Sequence, residues 1–310
     1  MKAGSNLEKV LENGTFAVTA ELGPPKGTNQ EMVRKKAEGL RNACDAINVT
    51  DNQTAIVRMS SLACCILLKQ MGLDPVMQMV CRDRNRIAMQ SDILGASGFG
   101  IKNVLALSGD HQKFGNHPMA KNVYDLDSLQ LIQTLTRMRD ENKFQSGDDF
   151  KGEVPLFVGA AENPYGDPVE FRVVRLAKKV KAGASFIQTQ AVFNVQKFAN
   201  WMKQVRERDL DKQVHILAGV IPMKSAGMAR YMSKEVAGLE VPDSYVTRMG
   251  QASDPKDEGV KICLEIIEEI RQIDGVHGIH MMAVGWEEMV PAIAERAGLL
   301  PRPVFDGEAA

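Results

Sequence analysis

Short apolar runs, each bounded by Gly, Pro or polar residues, alternate along this chain with longer stretches whose apolar residues recur every three to four positions. The first pattern marks a strand buried on both faces; the second marks an amphipathic helix. A short helix over 6–13, stopped by Gly14, comes first. Strands are predicted at 15–21, 46–50, 75–80, 103–107, 155–160, 185–190, 214–220 and 277–284. Helices follow them at about 28–40, 55–71, 86–96, 127–141, 169–182, 195–208, 225–232 and 286–297, with an acidic helix at 257–274 before the last strand. Thr28 and Glu31 have the spacing of a capping box. Eight strand-then-helix units in 310 residues fit an α/β fold of the (β/α)8 TIM-barrel type, read as one domain over 1–310, better than an open sheet. No Gly-x-Gly-x-x-Gly follows the first strand, which argues against a dinucleotide-binding doubly wound fold. The hydrophilic stretch 142–152 reads as a surface excursion, because the strand–helix pattern resumes directly after it.

Composition narrows the class. Hydrophobic content of 44% and charged content of 25% suit an ordinary globular protein, and a net charge of -1 gives no reason to expect nucleic acid or an anionic membrane as partner. No apolar run reaches membrane-spanning length, and the first residues lack the apolar core of a signal peptide, so a cytoplasmic location is expected. The five cysteines, 44, 64, 65, 81 and 263, lack C-x-x-C spacing. Reduced, mostly buried thiols are expected, and no metal site.

In a barrel of this kind the functional groups gather where the strands end. Reading those ends gives Glu21, Thr50 with Asp51, Gln78, Ser108 with Gly109 and Asp110, Glu162 with Asn163, Gln190, and Met223 with Lys224. After Asp110 comes a long polar loop to residue 125, and long loops in compact α/β domains are usually functional or disordered. His111 and His117 share it without an evident third ligand; His215 and His280 fall within strands and read as hydrogen-bonded core histidines. Carboxylates with carboxamides suit proton transfer to a nitrogen heterocycle read by paired hydrogen bonds. Glycosidases also set two carboxylates at a barrel mouth, but add aromatic platforms, and aromatics here make up only 5%.

Eight segments in register carry a resemblance: Ala20 to Pro25, Asn48 to Thr50, Met79 to Asp83, Leu105 to Asp110, Lys178 to Ala184, Thr189 to Phe193, Ala218 to Pro222, and Gly278 to His280. From about residue 7 to 300 the chain resembles the methylenetetrahydrofolate reductase family, whose members use a flavin in a (β/α)8 barrel. The resemblance implies flavin-dependent reduction of 5,10-methylenetetrahydrofolate to 5-methyltetrahydrofolate. It implies Glu21 as the acid acting on the folate, Asp110 as the carboxylate beside flavin and pterin, and Gln190 as an amide contacting folate. Thr50, Gln78, Ser108, Gly109, Asp110 and Lys179 fall at flavin-contacting positions. Lys224 is a candidate cation for the folate tail by its location.

The chain also departs from the family's FAD enzymes. Gln78 stands where they carry His, Ser108 where they carry Arg, Ala226 where an aromatic follows strand seven, and Ala161-Glu162-Asn163-Pro164 where an aromatic is usual. These departures leave both FAD and FMN open as cofactor, and NAD(P)H or a reduced partner subunit as electron donor. Homo- or hetero-oligomers are expected for barrels of this kind. A pterin-binding methyl-transfer barrel and a non-catalytic subunit of a methyl-branch complex are the competing readings.

Overall fold

Each apolar run becomes a strand and each periodic stretch a helix in the computed structural model, which describes residues 1–236 and 238–305. In chain order the elements are α1 (Asn6–Glu12), β1 (Ala17–Leu22), α2 (Gln30–Leu40), β2 (Ala46–Val49), α3 (Ser61–Gln70), β3 (Pro75–Val80), α4 (Arg86–Gly98), β4 (Asn103–Leu107), α5 (Ser128–Glu141), β5 (Phe157–Glu162) and α6 (Arg172–Lys181). Then come β6 (Phe186–Ala191), α7 (Val195–Arg206), β7 (His215–Val220), α8 (Ala226–Glu235), α9 (Asp243–Gln251), α10 (Pro255–Arg271), β8 (Gly278–Met281) and α11 (Val290–Arg296). The strands pair in parallel from β1 to β8, and β8 closes on β1 through Ala17↔Gly278 to Ala20↔Met281. This is the expected (β/α)8 barrel.

Inside the barrel, the period-2 alternation of strands sorts side chains by height. Ala17, Ala46, Val76, Leu105, Phe157, Phe186 and Leu217 form a small apolar cluster with Leu7, Val10 and Leu11 of α1. The leading helix therefore plugs the N-terminal end. It is held there by Glu8, a fully buried carboxylate that accepts backbone N–H groups from Lys2, Ala3 and Gly4. The outward-facing strand residues and the inner faces of the helices make the larger core. At the same end, Arg302 pairs with buried Asp45 at 2.7 Å and donates to the Phe16 carbonyl, tying the C-terminal segment to the start of β1.

Several local expectations shift. The N-cap of α2 is Asn29, whose side chain accepts from the Met32 N–H, so Thr28 and Glu31 form no capping box. The helix expected from 55 begins at Ser61, capped by Ser60. Residues 53–55 form instead a tight turn with left-handed backbone at Thr54 and Ala55. The 169–182 helix divides into a turn, Val169–Phe171, and α6. Helix α9 was not expected; its apolar stripe is too thin, with Met249 its one buried residue. His215 is half-buried: its Nε2 lies 3.8 Å from Glu12 Oε1, its Nδ1 lacks a partner, and its ring meets His277 edge-on at 5.0 Å.

One inter-strand fit dominates the apolar layer. Phe157 and Phe186 stack at 5.1 Å between ring centroids, and a Cβ placed on Gly159 would lie 2.2 Å from the Phe186 ring. Gly159 pairs with Phe186 in the β5–β6 register, so glycine makes the space that the ring fills. Gly159→Ala is expected to destabilise the fold by about 1–3 kcal/mol through overpacking. Phe186→Ala is expected to cost about 3–5 kcal/mol through the cavity it leaves. Gly159→Ala with Phe186→Ala should lose less than the two separate costs summed, because the added methyl enters space the ring has left; urea denaturation of the three variants measures this.

Candidate active site

At the C-terminal end the barrel opens into a cavity of about 420 Å³, within the ordinary range of small-molecule sites. Glu21 of β1, Gln78 of β3, Ser108, Gly109 and Asp110 after β4, Lys179 of α6 and Gln190 of β6 all line it. Seven of the sequence-predicted residues are thus brought together. Thr50 and Lys224 are not among the lining residues. Thr50 is buried at the end of β2 with its Oγ1 unpartnered. Lys224 is exposed on the loop after β7 and donates to the Gly285 carbonyl at 3.3 Å.

Glu21 points its Oε1 toward two nitrogen groups. Gln78 Nε2 donates to it at 3.3 Å, and His280 Nε2 lies 3.6 Å away, just beyond hydrogen-bond length. Sequence reading placed His280 in the core, and it is 97% buried, yet it also borders the cavity. Its Nδ1 meets the Thr19 hydroxyl at 2.9 Å. Behind Thr19 stand Gln188 and Asn48, which sequence reading missed as site neighbours. The signal was present in the alternation: Ala17, Thr19, Glu21 on β1 and Phe186, Gln188, Gln190 on β6 share an inward parity.

Asp110 is held by two loops. Its Oδ2 accepts the Thr54 N–H at 3.2 Å, and its carbonyl accepts from Arg82 Nη1 at 3.0 Å. Arg82, almost fully buried, also donates to the Asn52 carbonyl and forks onto the Asp83 carboxylate. The β2 and β4 loops meet again where the Val57 N–H reaches the Asn116 side chain at 3.2 Å. Just before Asp110 the chain turns at Gly109, where φ is +87° and a Cβ would press on Val80 at 3.0 Å. Only glycine meets both demands.

A cationic wall on α6 also borders the cavity. Arg172, Arg175 and Lys179 all line the cavity. Their spacing of three and seven residues puts them on one helical face, a signal that was legible but unread. Lys179 is buried and pairs with buried Glu162 at 2.7 Å, and it also donates to the Ala161 carbonyl. Burial pushes its ammonium below the usual lysine range, and Glu162 partly restores it. Arg172 donates to the carbonyls of Gly166 and Asp167, and among the described residues no carboxylate forms an ion pair with it. Gln190 sits where the β6–β7 ladder shifts register between Gln188 and Ala191, an irregularity that re-aims side chains at the barrel rim. Burial raises the Cys64 thiol to about 11 and those of Cys81 and Cys263 to about 12, so none is a ready nucleophile. Among the described residues no cluster of three or more His, Cys, Asp or Glu is placed to hold a metal, and no helix is long and apolar enough to cross a membrane.

The family described as methylenetetrahydrofolate reductase matches residues 6–298. "Methylenetetrahydrofolate reductase 2" of Schizosaccharomyces pombe is 26% identical over 97% of this chain and 48% of its own length. "5,10-methylenetetrahydrofolate reductase" of Salmonella typhimurium is 22% identical over 74% of this chain and 72% of its own. The chain thus spans about half the length of the yeast relatives it matches. A solved protein from Clostridium thermocellum, described as binding two copies of 5-methyl-5,6,7,8-tetrahydrofolic acid, superposes with a TM-score of 0.66 at 15% identity, covering 95% of this chain and 99% of that one. That likeness speaks for the fold.

The buried Glu162–Lys179 pair yields a direct expectation. Lys179→Met leaves a buried carboxylate without its cation and is expected to cost about 3–5 kcal/mol in urea denaturation. Adding Glu162→Leu should recover most of that loss. An equal loss in the double variant would contradict the pairing account.

Proposed function

The chain belongs to the methylenetetrahydrofolate reductase family, and from that premise we propose that it reduces 5,10-methylenetetrahydrofolate to 5-methyltetrahydrofolate with a bound flavin. The observation that carries the reading is the assembly of Glu21, Asp110 and Gln190 around one cavity. The residues present fit a flavin. The Gln78 and Gln190 amides suit a heterocycle edge, and Arg172 with Arg175 suit a phosphate. Gln78, Ser108, Gly109, Asp110 and Lys179 would hold the cofactor, FAD or FMN, through its ring system and first phosphate; Thr50, which the resemblance also implies, is buried outside the cavity lining. When bound, the flavin supplies the hydride.

The chain's own residues do the rest. Both described contacts of Glu21 fall on Oε1, so Oε2 is the oxygen that delivers a proton to the folate nitrogen as the methylene bridge opens to an iminium. Gln190 orients the folate ring. Asp110, fixed by the Thr54 N–H, sets a negative charge beside both ring systems. Lys224, outside the cavity, meets the anionic tail of the folate as it leaves the barrel mouth. Residues 1–310 act as one catalytic barrel in this reading; 306–310 lie outside the described residues.

Reducing equivalents arrive from a partner subunit in the form we favour. Supporting it are Ala226 in place of an aromatic, and an apolar rim beside the site, where Phe114 is 63% and Met119 88% exposed. Rapid reduction of the bound flavin by NAD(P)H with the chain alone would contradict this part.

Purified protein is expected to be yellow, and chromatography of the extracted flavin identifies FAD or FMN. Glu21→Gln should keep the flavin and its reduction by an artificial donor, and lose at least about a hundredfold in reduction of methylene-folate. A variant within a few-fold of the parent would remove Glu21 from the acid role.

A further inference from the structure

The barrel interior holds a row of polar side chains that the family match does not assign. Asn48 and Gln188 face each other across the barrel with two mutual hydrogen bonds, Asn48 Nδ2 to Gln188 Oε1 at 2.6 Å and Gln188 Nε2 to Asn48 Oδ1 at 3.0 Å. The second hydrogen of Gln188 Nε2 goes to Thr19 Oγ1 at 3.0 Å. Thr19 Oγ1 in turn lies 2.9 Å from His280 Nδ1 and 3.4 Å from the Ile279 carbonyl. His280 Nε2 looks toward Glu21 Oε1. Thr19, Asn48, Gln188 and His280 are each at least 97% buried.

We propose that Asn48, Gln188 and Thr19 are positioning residues that fix the proton of neutral His280 on Nε2, facing Glu21. The inference rests on the reading of Glu21 as the proton donor to folate. Because Gln188 already donates to the Thr19 oxygen, the single hydroxyl hydrogen of Thr19 is free for an acceptor, and the nearer one is His280 Nδ1. A ring nitrogen that accepts there leaves the ring proton on Nε2. Reversing both amides would keep their two mutual bonds, but would leave a further amide hydrogen without a partner in the barrel interior. It would also turn a lone pair of the imidazole toward the carboxylate. Both effects favour the same direction of the chain. The outcome is a Glu21 whose Oε1 accepts from Gln78 and faces the His280 Nε2–H at 3.6 Å, while Oε2 stays available to the substrate.

The direct test is long-range proton–nitrogen NMR on protein labelled with ¹⁵N-histidine, with the His280 signals identified by their loss in His280→Gln. Wild-type protein without substrate is expected to show the Nε2–H form. Thr19→Val, which keeps the shape and removes the hydroxyl, should give a mixture of tautomers. It should also lower kcat roughly tenfold while the folate KM stays within about twofold, as expected for a lost alignment rather than lost binding. Thr19→Ser should restore both readouts. An Nδ1–H ring in the wild type, or ring signals that Thr19→Val leaves unchanged, would overturn the proposal. If Thr19→Val does not fold, the wild-type tautomer and Thr19→Ser still decide it. The NMR readout needs no turnover, so a protein that shows the Nε2–H form yet reduces no folate contradicts the reductase reading and not the hydrogen-bond chain.

Discussion

A closed barrel offers its inner side chains no water, so every polar group placed there must find a partner within the barrel. This chain places four at one height, Thr19, Asn48, Gln188 and His280, and they satisfy one another. Below them Phe157, Phe186 and the plug helix α1 form an apolar seal. Above them it opens to the cavity carrying Glu21 and Gln190. The polar layer is thus the floor of the site. Its geometry depends on the packing beneath, where the absent side chain of Gly159 admits the Phe186 ring.

The mouth follows a different rule. Its loops are irregular, and they are ordered by charge and backbone hydrogen bonds. Arg82 draws Asp83 and the carbonyls of Asn52 and Asp110 together, so one buried guanidinium holds both loops that flank Asp110. The carboxylates of Glu21 and Asp110 share the cavity with the Arg172–Arg175–Lys179 wall on α6. A ligand with an electron-poor heterocycle at one end and a phosphate toward the other matches that separation of charge.

Most of the architecture was legible because parallel strands and their helices follow strong periodicities; β3 and β4 fall on the expected residues. The irregular parts were not. Thr54 and Ala55 adopt left-handed backbone that their side chains disfavour, and tertiary contacts with the β4 loop impose it. Glu21, Asp110 and Gln190 were readable as strand-end residues, whereas His280 and Gln188 look like ordinary strand interior until the barrel closes and brings β8 and β6 to β1. Lys179 could pass for a solvated helix residue, and its burial against Glu162 depends on how α6 docks on β5. Thr50 followed the family pattern and Lys224 was a candidate by location, but both stand apart from the cavity lining, because a strand-end position does not by itself set where a side chain points.

The most direct test of the account is anaerobic addition of 5-methyltetrahydrofolate to the purified, flavin-loaded protein, followed by absorbance. Bleaching of the flavin band, abolished in Glu21→Gln, is the predicted result, since the proposed folate step, run in reverse, requires only this chain and its cofactor. A flavin band that stays unchanged at saturating methyl-folate would contradict the central claim.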